Sequence, residues 1–265
     1  MPDFLLLLHC RSAILRCHFI KKRFFMPDTF EHRRIDFSFY AILSGMILLV
    51  GVLPLFPAAL LNGIPLSLRL FLGSWPLQGL YIWIAVYGAK KFAPGIPVFQ
   101  TLDLKKSTPV SFLRILFAVP VLYLLLSLGT AFYVFLLKKA GITLPPQSTV
   151  LLLKNGSPET LRILLPAALL AAPLGEELAF RHIIYKKFST LFSPVEAAVL
   201  SALFFSAAHL NIQSFPALFF LGMYLSYLYR KSGSLLPCIL THALFNAISV
   251  GILMLMRFRL LPVMQ

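Results

Sequence analysis

Residues 161–185 read LRILLPAALLAAPLGEELAFRHIIY, an apolar run with Glu176, Glu177 and Arg181 in its second half. The run exceeds the about 20 residues that an α-helix needs to cross a bilayer. A carboxylate at the bilayer centre costs on the order of 2.5–3.5 kcal/mol on insertion scales, so two adjacent ones need polar partners inside a helix bundle. The run therefore predicts a membrane-spanning helix that contributes to a buried polar site.

The rest of the chain is rich in similar runs. Hydrophobic residues make up 59% of the sequence and charged residues only 12%, far from the roughly 45–50% and 25% of a soluble domain. We therefore predict an all-α, polytopic helical membrane protein with about seven transmembrane helices and a catalytic helical core in its C-terminal half. The predicted spans are residues 37–60, 68–89, 110–137, 161–185, 194–210, 214–230 and 234–256.

The predicted domain organisation is simple. Residues 37–265 are expected to form a single membrane domain, with the catalytic core at about 160–250. Residues 1–36 form a basic N-terminal segment, for which two interpretations stay open. Residues 26–28 repeat the opening Met-Pro-Asp, which makes Met26 a candidate start; alternatively, Phe4 to Phe25 form a basic amphipathic helix on the membrane surface. No cleaved signal peptide is expected.

The net charge of +15 would suggest nucleic acid as a partner of a soluble protein, but here Lys and Arg lie mainly in the links between apolar runs. Such a distribution is typical of residues that set membrane topology. We therefore expect the chain to interact with the lipid bilayer and not with nucleic acid. The chain is expected to be a multi-pass protein of the cell (inner) membrane with a cytoplasmic N-terminus, because the predicted N-terminal side collects most of the Lys and Arg: Arg11, Arg16, Lys21, Lys22, Arg23, Arg33, Arg34, Lys90, Lys91, Lys105, Lys106, Lys186, Lys187, Arg230 and Lys231.

The three cysteines, Cys10, Cys17 and Cys238, are scattered and form neither a disulfide framework nor a C-x-x-C metal motif. His9 and His18 flank the first two, but we interpret these residues as incidental. The chemistry is therefore expected to reside in the acidic and histidine residues of the apolar runs.

In three apolar runs of the C-terminal half, the spacing of the polar residues shows which of them share a helix face. Glu177 and Arg181 are four residues apart and share a helix face, so they can form an ion pair. Glu176 is turned by about 100° from Glu177 and needs a different partner. Candidate partners come from two other runs, in which His209 follows Phe205 by four residues and His242 precedes Asn246 by four.

Packing is the alternative explanation for any one of these residues, since a single buried histidine often bonds two helices together. His182, beside Arg181, is interpreted in that way as an interfacial or helix-orienting residue. The conjunction of two Glu, an Arg, two His and an Asn within membrane spans is harder to explain by packing and favours a functional site.

These ordered motifs resemble those of the CAAX prenyl protease type II family, also called the CPBP or Abi family of intramembrane proteases. The resemblance covers about residues 160–250 and implies an endopeptidase that hydrolyses peptide bonds of membrane-associated or lipidated substrates. The motifs, as they stand in this chain, are Glu176-Glu177-x-x-x-Arg181, Phe205-x-x-x-His209 and His242-x-x-x-Asn246.

The resemblance also implies a role for each motif residue. Glu176 and His209 would activate a water molecule, while His242 and Asn246 would stabilise the oxyanion. Glu177 and Arg181 would form a supporting ion pair. A cavity open to the cytoplasmic side or to the lipid is expected around these residues, because hydrolysis needs water and the substrate is borne by the membrane.

Metal dependence is left open by the resemblance, since the family has often been described as metalloproteases. Glu176, His209 and His242 form a His₂Glu set, which are ligand types of catalytic zinc sites. A metal-free site without cofactor is favoured here, because no H-E-x-x-H spacing arranges two ligands on one helix. Zinc bound by those three residues is the alternative.

Two other functions remain as rivals. In a proton-coupled membrane transporter, Glu176 and the two histidines would form a proton relay; matching halves of the sequence would support it, and we find none. In a non-catalytic membrane scaffold or immunity protein, the same fold would persist without turnover, although here every motif residue is intact.

Overall fold

The computed structural model describes residues 30–47, 64–104, 112–144 and 147–260. Every regular element in these ranges is a helix, as predicted. The interpretations given above for residues 1–29 lie outside the described residues, as do residues 48–60 of the predicted span 37–60. The helices are α1 (Phe30–Ile47), α2 (Leu66–Phe92), α3 (Val98–Thr101), α4 (Phe112–Lys139), α5 (Ser148–Asn155), α6 (Pro158–Leu191), α7 (Pro194–Ala208), α8 (Phe215–Ser232) and α9 (Leu236–Arg257).

Four helices in the described part of the chain are long and apolar enough to cross a membrane, namely α2, α4, α6 and α9. The predicted count of about seven is therefore not confirmed. Helix α7 has only 15 residues, and the last turn of α8 holds Arg230 and Lys231, which lower its mean hydropathy. The apolar part of α1 that is described, Ile35–Gly45, is also short.

Helix α6 is the central element, and its backbone is irregular where the motif begins. Pro166 and Pro173 lie inside it and cannot donate backbone hydrogen bonds. The helix widens into π-helical turns at Ala167–Ala171 and Leu178–Tyr185, so Glu176 and Glu177 lie between two such turns. π-Helical turns are frequent at functional sites because they change which side chains face a neighbouring helix.

Helices α7 and α8 form a closely packed antiparallel hairpin. Helix α7 begins with a capping box, in which Ser193 and Glu196 each accept a hydrogen bond from the other's backbone N–H. A Cβ added at Gly222 of α8 would lie 3.0 Å from the Cβ of Ala202 in α7, so glycine permits this approach. The hairpin carries His209 at the C-terminal end of α7.

The helix ends define two ends of the bundle. We call one the basic end, because the last turns of α2 and α8 carry lysine and arginine there. At this end, an ion pair between Asp36 and Lys187 joins the start of α1 to the end of α6. At the opposite end, the Arg257 guanidinium donates to the carbonyl of Lys154 across 3.0 Å, which joins the end of α9 to α5.

A polar cluster around Asp103 closes the basic end. The Asp103 carboxylate contacts the His182 ring at 3.0 Å and the Lys186 ammonium at 2.6 Å, and it accepts a hydrogen bond from Tyr229. Its backbone carbonyl accepts from the N–H of Leu235. One loop residue thus bonds α6, α8 and the start of α9 together.

Candidate active site

The carboxylate of Glu177 is fully buried and links α6 to α9. Its Oε1 lies 3.0 Å from the Arg181 guanidinium, one turn along α6, and 2.9 Å from Nδ1 of His242. The Arg181 nitrogens are poorly aligned for hydrogen bonding, so this contact is mainly ionic. The guanidinium also lies 4.4 Å from the centroid of the Phe205 ring, a cation–π contact with α7. The motif residues of three helices therefore meet at one ion pair.

Glu176 points away from that pair, as its position on the helix predicts. Its Oε1 accepts a hydrogen bond of 3.1 Å from the side-chain amide of Gln78 in α2. Its Oε2 is buried and has no hydrogen-bond partner, but lies 3.8 Å from Nε2 of His209 and 3.8 Å from Nε2 of His242. Such distances are too long for direct hydrogen bonds and short enough for one water molecule to bridge.

The hydrogen bonds of the two histidines fix how their rings can act. Nδ1 of His209 lies 2.8 Å from the carbonyl oxygen of Phe205, which can only accept, so Nδ1 carries a proton. Nδ1 of His242 faces the Glu177 carboxylate in the same way. With Nδ1 protonated, the neutral form of each ring presents an unprotonated Nε2 toward Glu176.

Asn246 lies one turn after His242 on α9 and lines the same cavity. Its amide nitrogen donates a hydrogen bond of 2.8 Å to the carbonyl of Ala168, in the first π-helical turn of α6. The bond fixes the amide against α6 and leaves its second N–H for another acceptor. All six residues predicted from the sequence are thus brought together.

A cavity of about 460 Å³ surrounds Glu176, His209, His242 and Asn246. The two histidines lie at similar depth although His209 ends its helix, because α7 is short and stops beside Glu176. Apolar side chains make up most of the remaining wall, including Leu77, Val150, Leu153, Phe245 and Leu253. Small polar groups, such as Ser74 and Ser249, interrupt this wall.

The donor set meets some of the requirements of zinc and misses others. Glu176, His209 and His242 are suitable ligand types, and each His has its other nitrogen bonded as in many metal sites. Tetrahedral zinc would hold such donors about 3.3 Å from one another, whereas both Nε2 atoms lie 3.8 Å from Oε2. No group of three His, Cys, Asp or Glu with metal-binding geometry occurs in the described ranges.

Sequence reasoning missed two residues. Gln78, the direct partner of Glu176, was visible only as a polar residue within the predicted span 68–89. Asp103 lay between runs, where an acidic residue is unremarkable in sequence. His182 is fully buried against Asp103, a contact that fits its interpretation as a helix-orienting residue.

One of three comparisons with known proteins covers the segment that contains the motif residues. Residues 158–248 match the family model described as type II CAAX prenyl endopeptidase, Rce1-like. No curated protein and no solved structure matches the chain. The matched segment begins with α6 and extends into α9, so it contains every motif residue but neither Gln78 nor Asp103. Over this segment, about a third of the chain, the sequence is similar to the type II CAAX prenyl endopeptidases of the Rce1-like family.

Proposed function

We propose that the chain is a glutamate-dependent intramembrane endopeptidase that acts on membrane-associated or lipidated peptides. The observation that carries this proposal is the unpartnered Oε2 of Glu176, which faces two histidine nitrogens at 3.8 Å. A buried carboxylate oxygen without a donor is costly unless a water molecule occupies the space. The family match supports a protease with this centre.

In the proposed reaction, Glu176 and His209 position the water between them. Glu176 accepts a proton from this water as its oxygen bonds to the carbonyl carbon of the substrate. The same proton then passes to the amide nitrogen as the C–N bond breaks. The products are an amine and a carboxylic acid, which holds the second proton of the water and then releases it to solvent, and Glu176 returns to its ionised form.

The negative charge that develops on the carbonyl oxygen requires donors on the other side of the cavity. Asn246 has a free N–H for this purpose, since its other interaction is with Ala168. In its imidazolium form, His242 keeps the bond to Glu177 and gains an Nε2–H that can be donated to the oxyanion. Known oxyanion donors are worth about 2.7–4 kcal/mol each.

Glu177 and Arg181 act through other residues in this proposal. The ion pair is fully buried, and Glu177 orients the ring of His242. Neither side chain lines the cavity around Glu176 among the described residues. The pair is therefore assigned the positioning of His242 and no contact with substrate.

The cavity suggests the kind of substrate. Most of the exposed area of its wall is apolar, which suits an extended apolar peptide rather than a charged one. Its volume of about 460 Å³ can accommodate a few residues around the scissile bond.

The test is proteolysis of a membrane-peptide library by the purified protein in detergent. Glu176→Gln should lower kcat by at least about 10²–10⁴-fold, because the general base is lost while the side-chain shape is kept. Glu159→Gln, at the exposed start of α6, is the matched control and should retain full activity.

Each assay is repeated after treatment with a strong chelator. Activity that survives chelation and is lost in Glu176→Gln supports the proposed metal-free reaction. Loss on chelation, restored by zinc, would contradict it and return the His₂Glu zinc site to consideration. Cleavage that is unaffected by Glu176→Gln would overturn the assignment of the base and favour the transporter or scaffold alternatives.

A further inference from the structure

A second concave surface lies on the outside of the bundle, between α4 and α8. This groove has a volume of about 600 Å³. Its wall consists mainly of apolar side chains of α4, including Phe117, Val121 and Leu125, together with Arg114 and Tyr224. Among the described residues, none that lines the groove also lines the active-site cavity. The groove is therefore separate from the proposed catalytic centre.

The apolar wall of the groove faces outward. Phe117, Val121 and Leu125 expose 71%, 58% and 60% of their surface. They follow one another at intervals of four residues, so they lie on one face of α4. Because α4 is long and apolar enough to cross a membrane, this face is expected to contact the acyl chains of the bilayer.

The cation of the groove lies at the basic end of the bundle. Near the end of α4, Leu137 and Lys138 line a small pocket together with Gln213, which precedes α8. Since α4 ends where α8 begins, the two helices are antiparallel, and Arg114 in the first turn of α4 lies level with the last turns of α8. Between Arg114 and Leu125, α4 rises by roughly 16 Å. The groove thus has a cation at one end and an apolar wall along the rest of its length.

Helix α8 adds a tyrosine and a lysine toward the same end. Tyr224, Tyr227 and Lys231 are three and four residues apart, so they share one face of the helix. The rings of Tyr224 and Tyr227 lie 6.4 Å apart, and the Lys231 ammonium donates to the Tyr227 hydroxyl across 3.2 Å. Tyrosine and lysine near the ends of spanning helices are typical of the level of lipid headgroups.

Both cations are available to an anion. Arg114 and Lys231 are exposed, and no acidic side chain of the described residues pairs with either of them. Long basic side chains at the end of a spanning helix extend toward the headgroups while their methylene groups stay on the apolar surface. An amphiphile with a negative headgroup and an apolar chain therefore complements the charge and the shape of the groove.

We infer that this groove binds an anionic phospholipid of the bilayer, with the headgroup within reach of Arg114 and Lys231 and one acyl chain along the apolar wall. A basic pocket between helices favours an anionic lipid over a zwitterionic one, whose own cation offsets the attraction. The lipid bridges α4 and α8, so it stabilises the folded protein by mass action. This inference does not rest on the proposed protease function.

The headgroup is tested by native mass spectrometry of the full chain in a neutral detergent. The protein is titrated with phosphatidylglycerol and with phosphatidylcholine that carries the same acyl chains. We expect phosphatidylglycerol to bind roughly tenfold more tightly or better. Arg114→Gln and Lys231→Gln should each weaken its binding by about fivefold and leave phosphatidylcholine unaffected. Lys90→Gln is the matched control, since it removes an exposed cation at the basic end but on α2.

The acyl chain is tested by filling the groove. Ala118→Phe should weaken the binding of both lipids by roughly tenfold or more, because the ring occupies the place of the chain. Leu124→Phe, at an exposed position of α4 that does not line the groove, is the control. Phosphatidylglycerol should raise the unfolding temperature of the wild type and of Leu124→Phe more than that of Ala118→Phe. Val121→Phe is the second filling variant if Ala118→Phe does not fold.

Three results would overturn the inference. Equal affinities for the two lipids would show that the groove does not distinguish the headgroup. A loss with Lys90→Gln as large as that with Arg114→Gln would show that diffuse charge attracts the lipid. A dimer that dissociates with Ala118→Phe and binds no lipid would show that a second copy of the chain occupies the groove. Since binding needs no turnover, the expected result is the same in a Glu176→Gln background.

Discussion

The side-chain amide of Gln78 donates a hydrogen bond to the Glu176 carboxylate across 3.1 Å, although Gln78 lies outside the segment that matches the family. Its amide holds Oε1, so that Oε2 is the oxygen turned toward the two histidines. A helix of the N-terminal half thus takes part in orienting the proposed base.

We predict that Gln78→Met lowers kcat by roughly 10-fold with little change in KM, because the base loses its orientation while the cavity keeps its size. Steady-state proteolysis in detergent measures both constants. Gln100→Met, on the exposed face of α3, is the control that should leave both unchanged. A rise in KM alone would mean that Gln78 contacts substrate rather than positioning Glu176.

Gly175 is predicted to be intolerant of alanine. A Cβ at this position would lie 2.5 Å from Oε1 of Gln78 and 3.1 Å from its backbone carbonyl, so α2 and α6 would have to separate. Gly175→Ala should lower the free energy of unfolding by about 1–3 kcal/mol and reduce kcat as Gln78 shifts. Gly79→Ala is the control in α2, since a Cβ added there would meet no atom within 4 Å. Equal stability and activity of the two variants would contradict the close approach.

The buried ion pair is predicted to be costly to break from one side. Arg181→Met leaves the Glu177 charge uncompensated and should lower the free energy of unfolding by about 3–5 kcal/mol. Replacing both residues in Glu177→Met/Arg181→Met should cost less than the sum of the single changes. Thermal or denaturant unfolding in detergent measures the stability of the single and double variants, with Glu159→Gln as the exposed control. Additive costs would show that the pair is not coupled.

Asp103 is predicted to make stability depend on acid pH. Burial raises the pKa of its carboxyl, but the hydrogen bond from His182 and the charge of Lys186 outweigh burial and hold the pKa below its usual range. Its contribution is therefore complete above the ordinary value near 3.9 and is lost as the pH falls from there toward the depressed pKa.

Asp103→Asn should consequently lower the unfolding temperature at pH 7 and show a smaller further loss than the wild type between about pH 5 and 3. Thermal unfolding in detergent across this range measures the difference. Parallel curves for the two proteins would contradict a stabilising, ionised Asp103.

Local spacing was sufficient to predict part of the site. Glu177 and Arg181 are paired because four residues separate them on one helix, and the polar residues of three apolar runs were predicted to meet because burial demands partners. Gln78 and Asp103 could not be found in this way, since their contacts join residues 98 and 79 positions apart in the chain. The number of spans could not be predicted either, because it also depends on contacts between distant residues. Helices α7 and α8 pack against each other in a hairpin, so neither has to be long or uniformly apolar.

The short α7 has a consequence for the lipid around the protein. Its 15 residues extend about 22 Å, whereas the hydrocarbon layer of a typical bilayer measures about 30 Å. A bilayer thins locally beside so short a helix, and the elastic cost rises with the length of the acyl chains. His209 ends this helix, so the thinned lipid would lie next to the position proposed for the reactive water. Proteoliposomes of increasing acyl-chain length should therefore show declining turnover, and constant turnover would mean that neighbouring helices shield α7 from lipid.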